Sequence, residues 1–320
     1  MCMIFTGCGK KNEEDILKKF EKKVTETASY TLTAEMEILS NEEKYNYDVN
    51  VIYKEGDFYK VSLINNENTH EQIILKNEEG VYVITPSINK SFKFQSEWPY
   101  NSSQSYIISS ILKDLQNDAE RGYEETEKNY VFTSKVNYPN NSSLKKQKIT
   151  FDKEMEIQTI EVLNNEDKTV ISVNVKNIDY KTKVEKEFFA LENNIDEDCC
   201  DEKNVSKELQ DIIYPMYIPT GTNYQGEEKI NSNDIERVIL TFTGEKPFIL
   251  VEETTNVSKD FEINQTGAEL VFYENIVGNL TDTSLFWHQD GVDYYIVGQN
   301  LSSEELLQIA ASTTTVAITK

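Results

Sequence analysis

What most constrains this chain is an alternation of period two that recurs over most of its length. Tyr30, Leu32, Ala34, Met36 and Ile38 fall on one side of an extended backbone, and Tyr45, Tyr47, Val49, Val51 and Tyr53 repeat the pattern. Successive side chains of a strand point to opposite faces, so each run has one apolar and one polar side. That is the pattern of half-buried antiparallel strands. Further candidates lie at residues 57–65, 69–76, 81–85 and 90–95. Polar clusters such as Asn77-Glu78-Glu79-Gly80 join them as hairpins, with Gly supplying the positive φ of a tight turn.

Two stretches switch to helical spacing. After a short tether at 9–11, Asn12 can cap a helix whose first turn is acidic (Glu13, Glu14, Asp15) and whose end is basic (Lys18, Lys19, Lys22, Lys23). Ile16, Leu17, Phe20 and Val24 form its stripe. A break at Trp98-Pro99-Tyr100 precedes a second helix over 106–115, with Ile107, Ile108, Ile111, Leu112 and Leu115 too apolar to leave in water. Strands are predicted again at 130–136, 148–151, 157–163, 170–175 and 184–191. The fold class is therefore α+β, mostly antiparallel β, with a long curved sheet and helices on its concave face. A sheet of that length tends to curl. The hollow it encloses holds either packed core or a lipid or peptide.

At Asp196-Glu197-Asp198-Cys199-Cys200-Asp201-Glu202 the apolar pattern stops. Clustered carboxylates can hold Ca²⁺, but the ligand alternation and turn Gly of a known loop are absent, so the stretch reads as a solvated linker and no metal is expected. A chain of 320 residues exceeds what one core usually organises. The expected boundaries are 1–8 for a signal remnant, 9–195 for the first domain, 196–210 for the acidic linker and 211–320 for a smaller α+β domain. The last opens with an extended entry strand at 214–221 bearing Pro215 and Pro219, followed by strands at 237–243, 248–253 and 269–273. Residues 285–298 read as a hairpin turning at Asp290-Gly291, and Ser302 with Glu305 forms a capping box for a helix that buries Leu306, Leu307 and Ile309.

The N-terminus bears on compartment. Phe5-Thr6-Gly7-Cys8 fits the end of a lipoprotein signal, an apolar residue and small residues before a cysteine to be lipidated, so Cys8 is the candidate lipidation site. A working signal needs a basic start and an apolar run within about 15 to 30 residues. No Lys or Arg precedes Lys10, so the start is expected upstream of Met1; the competing reading is a cytosolic chain with an incidental cysteine. No run of about 18 apolar residues follows Cys8. Membrane attachment is therefore expected through an N-terminal lipid anchor, on the extracytoplasmic face. Cys199 and Cys200 are too close in sequence for an unstrained disulfide.

Charge narrows the partners. With 56 acidic against 32 basic residues the formal net charge is −24, which argues against nucleic acid or an anionic bilayer as partner for the body of the protein. Catalytic signatures are thin. The two histidines, His70 and His288, have no metal-ligand spacing, and there is no G-x-S-x-G elbow, P-loop or G-x-G-x-x-G. No catalytic residue and no cofactor is expected.

The run from Trp287 through Gly291, Tyr295 and Gly298 to residues 301–312, LSSEELLQIAAS, resembles a C-terminal domain of unknown function on extracytoplasmic proteins of spore-forming Gram-positive bacteria. The preceding part, with lipobox, leading helix, successive hairpins and central helix, resembles the LolA-like sporulation lipoproteins, including relatives of the germination lipoprotein GerS. The resemblance implies a LolA-like half-barrel, anchoring in a spore-envelope membrane, no enzymatic activity, and a protein partner such as a cortex amidase. Two functions stay open. One is a scaffold or activator of an envelope protein; the other is a carrier or sensor of a lipid or lipopeptide held in the hollow of the sheet.

Overall fold

The computed structural model describes residues 13–313 apart from 41–42, 67–68, 70, 87–89, 95–96, 196–208, 210–211, 233–234, 255–261, 266–267, 275 and 290. Expectations placed on Cys8, Asn12, His70, Cys199, Cys200, Asp290 and the acidic run at 196–202 lie outside the described residues.

Helix α1 (Glu13–Thr25) has the charge order that suits its dipole, and buries Ile16, Leu17 and Phe20. Strands β1 (Ser29–Ser40) and β2 (Glu43–Lys54) pair along their lengths, with Tyr30 opposite Tyr53 and Met36 opposite Tyr47. The two aromatic and aliphatic rows anticipated from the alternation thus share a face. Hairpins add β3 (Phe58–Asn65), β4 (Glu71–Asn77), β5 (Gly80–Thr85) and β6 (Lys90–Phe94). Asn77 faces Gly80 across the β4–β5 turn; its side-chain oxygen accepts from the Glu79 N–H at 2.9 Å, and Gly80 takes φ 151°.

After the Trp98-Pro99 break comes α2 (Ile108–Asn117), then β7 (Gly122–Glu125), β8 (Asn129–Lys135), β9 (Leu144–Asp152), β10 (Ile157–Asn164) and β11 (Thr169–Asp179). Strand β11 returns to β1, giving the order β6-β5-β4-β3-β2-β1-β11-β10-β9-β8-β7. The sheet is open, because β7 does not meet the β6 end. Both helices lie against one face: Phe20, Ile107, Ile111 and Leu115 bury with Leu32, Val51, Val61, Phe132, Phe151 and Ile160 in a single core. Packed side chains occupy the space under the helices.

Two expected strands take other forms. Residues 184–191, expected as a strand, are two short 3₁₀ turns (Lys186–Phe189 and Leu191–Asn193). The segment leaves β11, whose two sides are already taken by β1 and β10, so it cannot fold back as a hairpin on the strand it follows. Instead it crosses the back of the sheet and drops Phe189 among Phe58, Ile73, Leu75, Tyr82 and Ile84. Residues 214–221, expected as an entry strand, are an irregular strap without ladder pairing, and the first strand of the second sheet is β12 (Thr222–Ser232). That strand, TNYQGEEKINS, escaped the sequence reading because an edge strand has little apolar alternation to show.

The second sheet continues with β13 (Ile235–Gly244) and β14 (Phe248–Thr254). Strand β15 (Glu262–Gln265) leaves this sheet and extends the first one, pairing parallel to β6. The chain then returns as β16 (Glu269–Tyr273), β17 (Ile276–Leu280), β18 (Ser284–Gln289) and β19 (Val292–Val297), in the order β12-β13-β14-β19-β18-β17-β16. Helix α3 (Ser303–Ala311) has the expected capping box: the Glu305 N–H donates to Ser302 Oγ at 3.2 Å, and the Ser302 N–H donates to Glu305 Oε2 at 3.0 Å. One face of this sheet packs on α3, burying Leu240, Leu250, Trp287, Ile296, Leu306 and Ile309. The other face sends Leu270 and Phe286, with Val277 and Tyr295 beside them, into the core of the first sheet. Phe286 and Trp287 are neighbours in sequence and enter different cores, as alternation on a strand requires.

Candidate functional site: the seam between the sheets

Where the second sheet meets the first, a cavity of about 400 Å³ remains. Met36 and Ile38 at the end of β1, and Val170 and Ile171 at the start of β11, form one wall; Leu270 and Tyr273 of β16 form another. The third wall is the loop before α2, with Ser102, Ser103, Gln104 and Ser105, and the turn carrying Asn140 and Asn141. Among the described residues the lining has no Lys, Arg or His, and its charged residues are Glu269 and Glu274.

The polar wall is held in place by its own hydrogen bonds. Ser103 N–H donates to the Asn137 carbonyl at 2.7 Å and Ser103 Oγ accepts from Asn137 N–H at 2.8 Å, tying the loop to the end of β8. Gln104 N–H donates to Ser110 Oγ at 2.8 Å, and Tyr106 OH donates to Gln104 Oε1 at 2.9 Å. Behind the wall, Gln147 Nε2 donates to Asp114 Oδ2 at 3.0 Å. Burial pushes the Asp114 carboxyl up to about 6, against the hydrogen bonds from Ser103 and Gln147 that favour its charged form. Burial and the adjacent Glu274 carboxylate push the Tyr273 hydroxyl up to about 12. The sequence reading passed over this loop as a mere break. Its visible signal was the run of small polar residues between Trp98-Pro99 and an apolar helix.

His288 is buried, and its Nδ1 lies 2.8 Å from Asp293 Oδ1 across the β18–β19 hairpin. A His–carboxylate pair is the orienting half of many nucleophilic sites. Here the space beside it, lined by Gln72, Val83, Thr85 and Phe286, is about 20 Å³. That admits about one water and no substrate, so the pair reads as a packing element of the seam. Among the described residues no three His, Cys, Asp or Glu side chains are placed to hold a metal ion, and no helix is long and apolar enough to cross a membrane.

The motif residues of the C-terminal region have structural roles. Trp287 stacks on Tyr294 at 4.9 Å, Gly291 takes φ 81° at the hairpin turn, and Tyr295 packs against Phe286 at the seam. A Cβ on Gly298 would sit 2.8 Å from Leu301 Cδ1 and 3.0 Å from Phe248 Cβ, so the residue is glycine for lack of room.

The strap at 212–219 presents a second feature. Ile213 and Tyr217 pack on the second core, while Tyr214, Met216 and Ile218 stand 44%, 77% and 37% exposed. Tyr214 lies 5.7 Å from the ring of Tyr224 on the edge strand β12, and both hydroxyls meet the Glu227 carboxylate. Together they form an aromatic and thioether patch on the outer surface, of the composition found at protein interfaces.

Residues 212–312 match a family model described as a domain of unknown function, DUF4367. Over 313 residues the chain is 36% identical to the sporulation protein YdcC of Bacillus subtilis, covering 97% of this chain and 93% of that protein. Among solved structures, the complex of the CwlD amidase with the GerS lipoprotein of Clostridioides difficile covers 55% of this chain and 98% of its own, at 18% identity and TM-score 0.32. The LolA superfamily protein NE2245 of Nitrosomonas europaea covers 57% and 100%, at 9% identity and TM-score 0.34. The MucA/MucB complex of Pseudomonas aeruginosa covers 92% and 97%, at 9% identity and TM-score 0.35. All three superpose loosely.

Proposed function

The chain belongs to the family of the Bacillus subtilis sporulation protein YdcC, and from that premise we propose that it is a lipid-anchored sporulation protein that docks a second envelope protein as scaffold or activator, without catalysis of its own. The observation that carries this reading is the patch of Tyr214, Met216, Ile218 and Tyr224. Four of the nine large apolar residues that stand exposed among the described residues fall in this patch, and Met216, at 77%, is the most exposed of them. Tyr and Met are enriched in interface cores, where rigid rings and a flexible thioether fill partner pockets. The acidic surface around them favours a partner with basic flanks. The sporulation-lipoprotein resemblance names a cortex amidase as the first partner to try.

Cys8 is the proposed anchor, which places the body on the extracytoplasmic face of a cell or forespore membrane. The carrier reading draws less support, since the space between the first sheet and its helices holds packed core.

The test is capture from sporulating cells with the tagged protein and with a Tyr214→Ser, Met216→Asp variant. The wild type is expected to recover one protein in stoichiometric amount and the variant to lose it. Equal capture by both, or cleavage of peptidoglycan by the purified wild type alone, would overturn the reading. Separately, Cys8→Ala behind a complete secretory signal is expected to move the protein from the membrane to the soluble fraction; unchanged fractionation removes the anchor.

A further inference from the structure

We propose that the cavity at the seam is a binding site for a short amphipathic peptide bearing a primary amine, whether a chain-terminal ammonium or a lysine-type side chain. This is a separate site from the docking patch and does not depend on it. Its volume, about 400 Å³, falls within the range of small-ligand pockets and far exceeds the space of one or two structural waters. The composition of its walls then selects the ligand.

On one side Met36, Ile38, Ile171 and Leu270 offer aliphatic surface that a peptide's apolar side chains can cover. On the other, Ser102, Gln104, Asn140 and Asn141 offer neutral donors and acceptors of the kind that match backbone amides. The loop that carries Ser102 and Gln104 is already fixed by its bonds to Asn137 and Ser110, so ordering it on binding costs little.

Charge decides between amphiphiles. Among the described residues the lining offers Glu269 and Glu274 and no Lys, Arg or His, in a chain of net charge −24. A phosphate or carboxylate head group would enter a negative pocket without a counter-charge, while an ammonium would find two carboxylates at the β16 wall. Both halves of the chain build the walls, so an occupant also ties the second sheet to the first.

The test is calorimetric titration of the whole protein with three probes: an unblocked hexapeptide amide of alternating leucine and lysine, the same peptide with all amines acetylated, and lysophosphatidylglycerol as an anionic amphiphile. The free-amine peptide is expected to bind at one site at least tenfold more tightly than the acetylated one. A Glu269→Gln, Glu274→Gln variant is expected to lose that preference. Asn140→Trp, placed in a turn outside both sheets, is expected to block binding while leaving the thermal transition in place. That second variant distinguishes the pocket from general attraction of a basic peptide to an acidic surface. Equal binding of the free and acetylated peptides, preferred binding of the anionic amphiphile, no binding of either peptide, or undiminished binding by Asn140→Trp would each overturn the proposal.

Discussion

The backbone N–H of Ile213 donates to both carboxylate oxygens of Glu252, at 3.0 and 3.2 Å, and Glu252 is fully buried beneath the strap that carries the exposed patch. Burial pushes this carboxyl up to about 7; the Ile213 bond opposes the shift and nearby Glu227 adds to it. A raised carboxyl holds its proton in the folded chain at pH values where the unfolded chain has lost it. The folded state therefore binds more protons between about 4.5 and 7, and stability falls as pH rises through that window. Asp114, pushed up to about 6, acts with the same sign. Glu252→Gln keeps an oxygen acceptor for Ile213 and removes the titration. Urea unfolding at pH 5 and pH 8 is expected to show a loss of stability on going to pH 8 that is smaller in the variant by about 2 kcal/mol.

Phe189 closes the cluster on the back of the first sheet, with its ring 5.5 Å from that of Phe58 and no solvent exposure. Phe189→Ala leaves a cavity and is expected to destabilise by about 3 kcal/mol. The midpoint of chemical unfolding measures it. A loss of a few tenths would mean that residues 184–195 only rest on the sheet.

The capping box of α3 joins Ser302 and Glu305 reciprocally, and Glu305 also pairs with Lys246. Ser302→Ala removes the side-chain acceptor for the Glu305 N–H and is expected to cost about 1 kcal/mol. Ser302→Asp, which restores an acceptor at the helix N-terminus, is expected to recover most of it in the same unfolding assay.

Gly298 leaves no room for a side chain between Phe248 and Leu301. Gly298→Ala forces the strand end off the second core, at an expected cost of about 1–3 kcal/mol. Gly226→Ala, where nothing lies within 4 Å of the added carbon, is the control and is expected to change stability far less. A melt in which the two variants lose equal stability would show that Gly298 is not held by contact.

Much of the fold was legible because strand alternation and helix spacing are local. The rows of β1 and β2, the stripe of α1, the Asn77-to-Gly80 hairpin and the Ser302 cap follow from residues a few positions apart, whose physics does not depend on what lies elsewhere. The strand expected at 184–191 failed on a non-local fact: β1 and β10 already occupy both sides of β11. The polar edge strand β12 was missed for the opposite reason, since it owes its state to pairing with β13 and not to its own pattern.

The candidate sites lay further from view. Met36, Gln104, Asn140 and Leu270 are separated by up to hundreds of positions and line one cavity only because the second sheet packs across the first. Alternation could say that Phe286 and Trp287 point to opposite faces, but not that each face finds a different core. The sequence by itself determined the class of the fold, its element chemistry and the excess of negative charge, because those are sums or short-range patterns. The seam, the meeting of Glu269 and Glu274 with neutral polar residues in its lining and the pinning of the strap by Glu252 were decided by tertiary structure alone, because they depend on which surfaces meet once the apolar faces are buried.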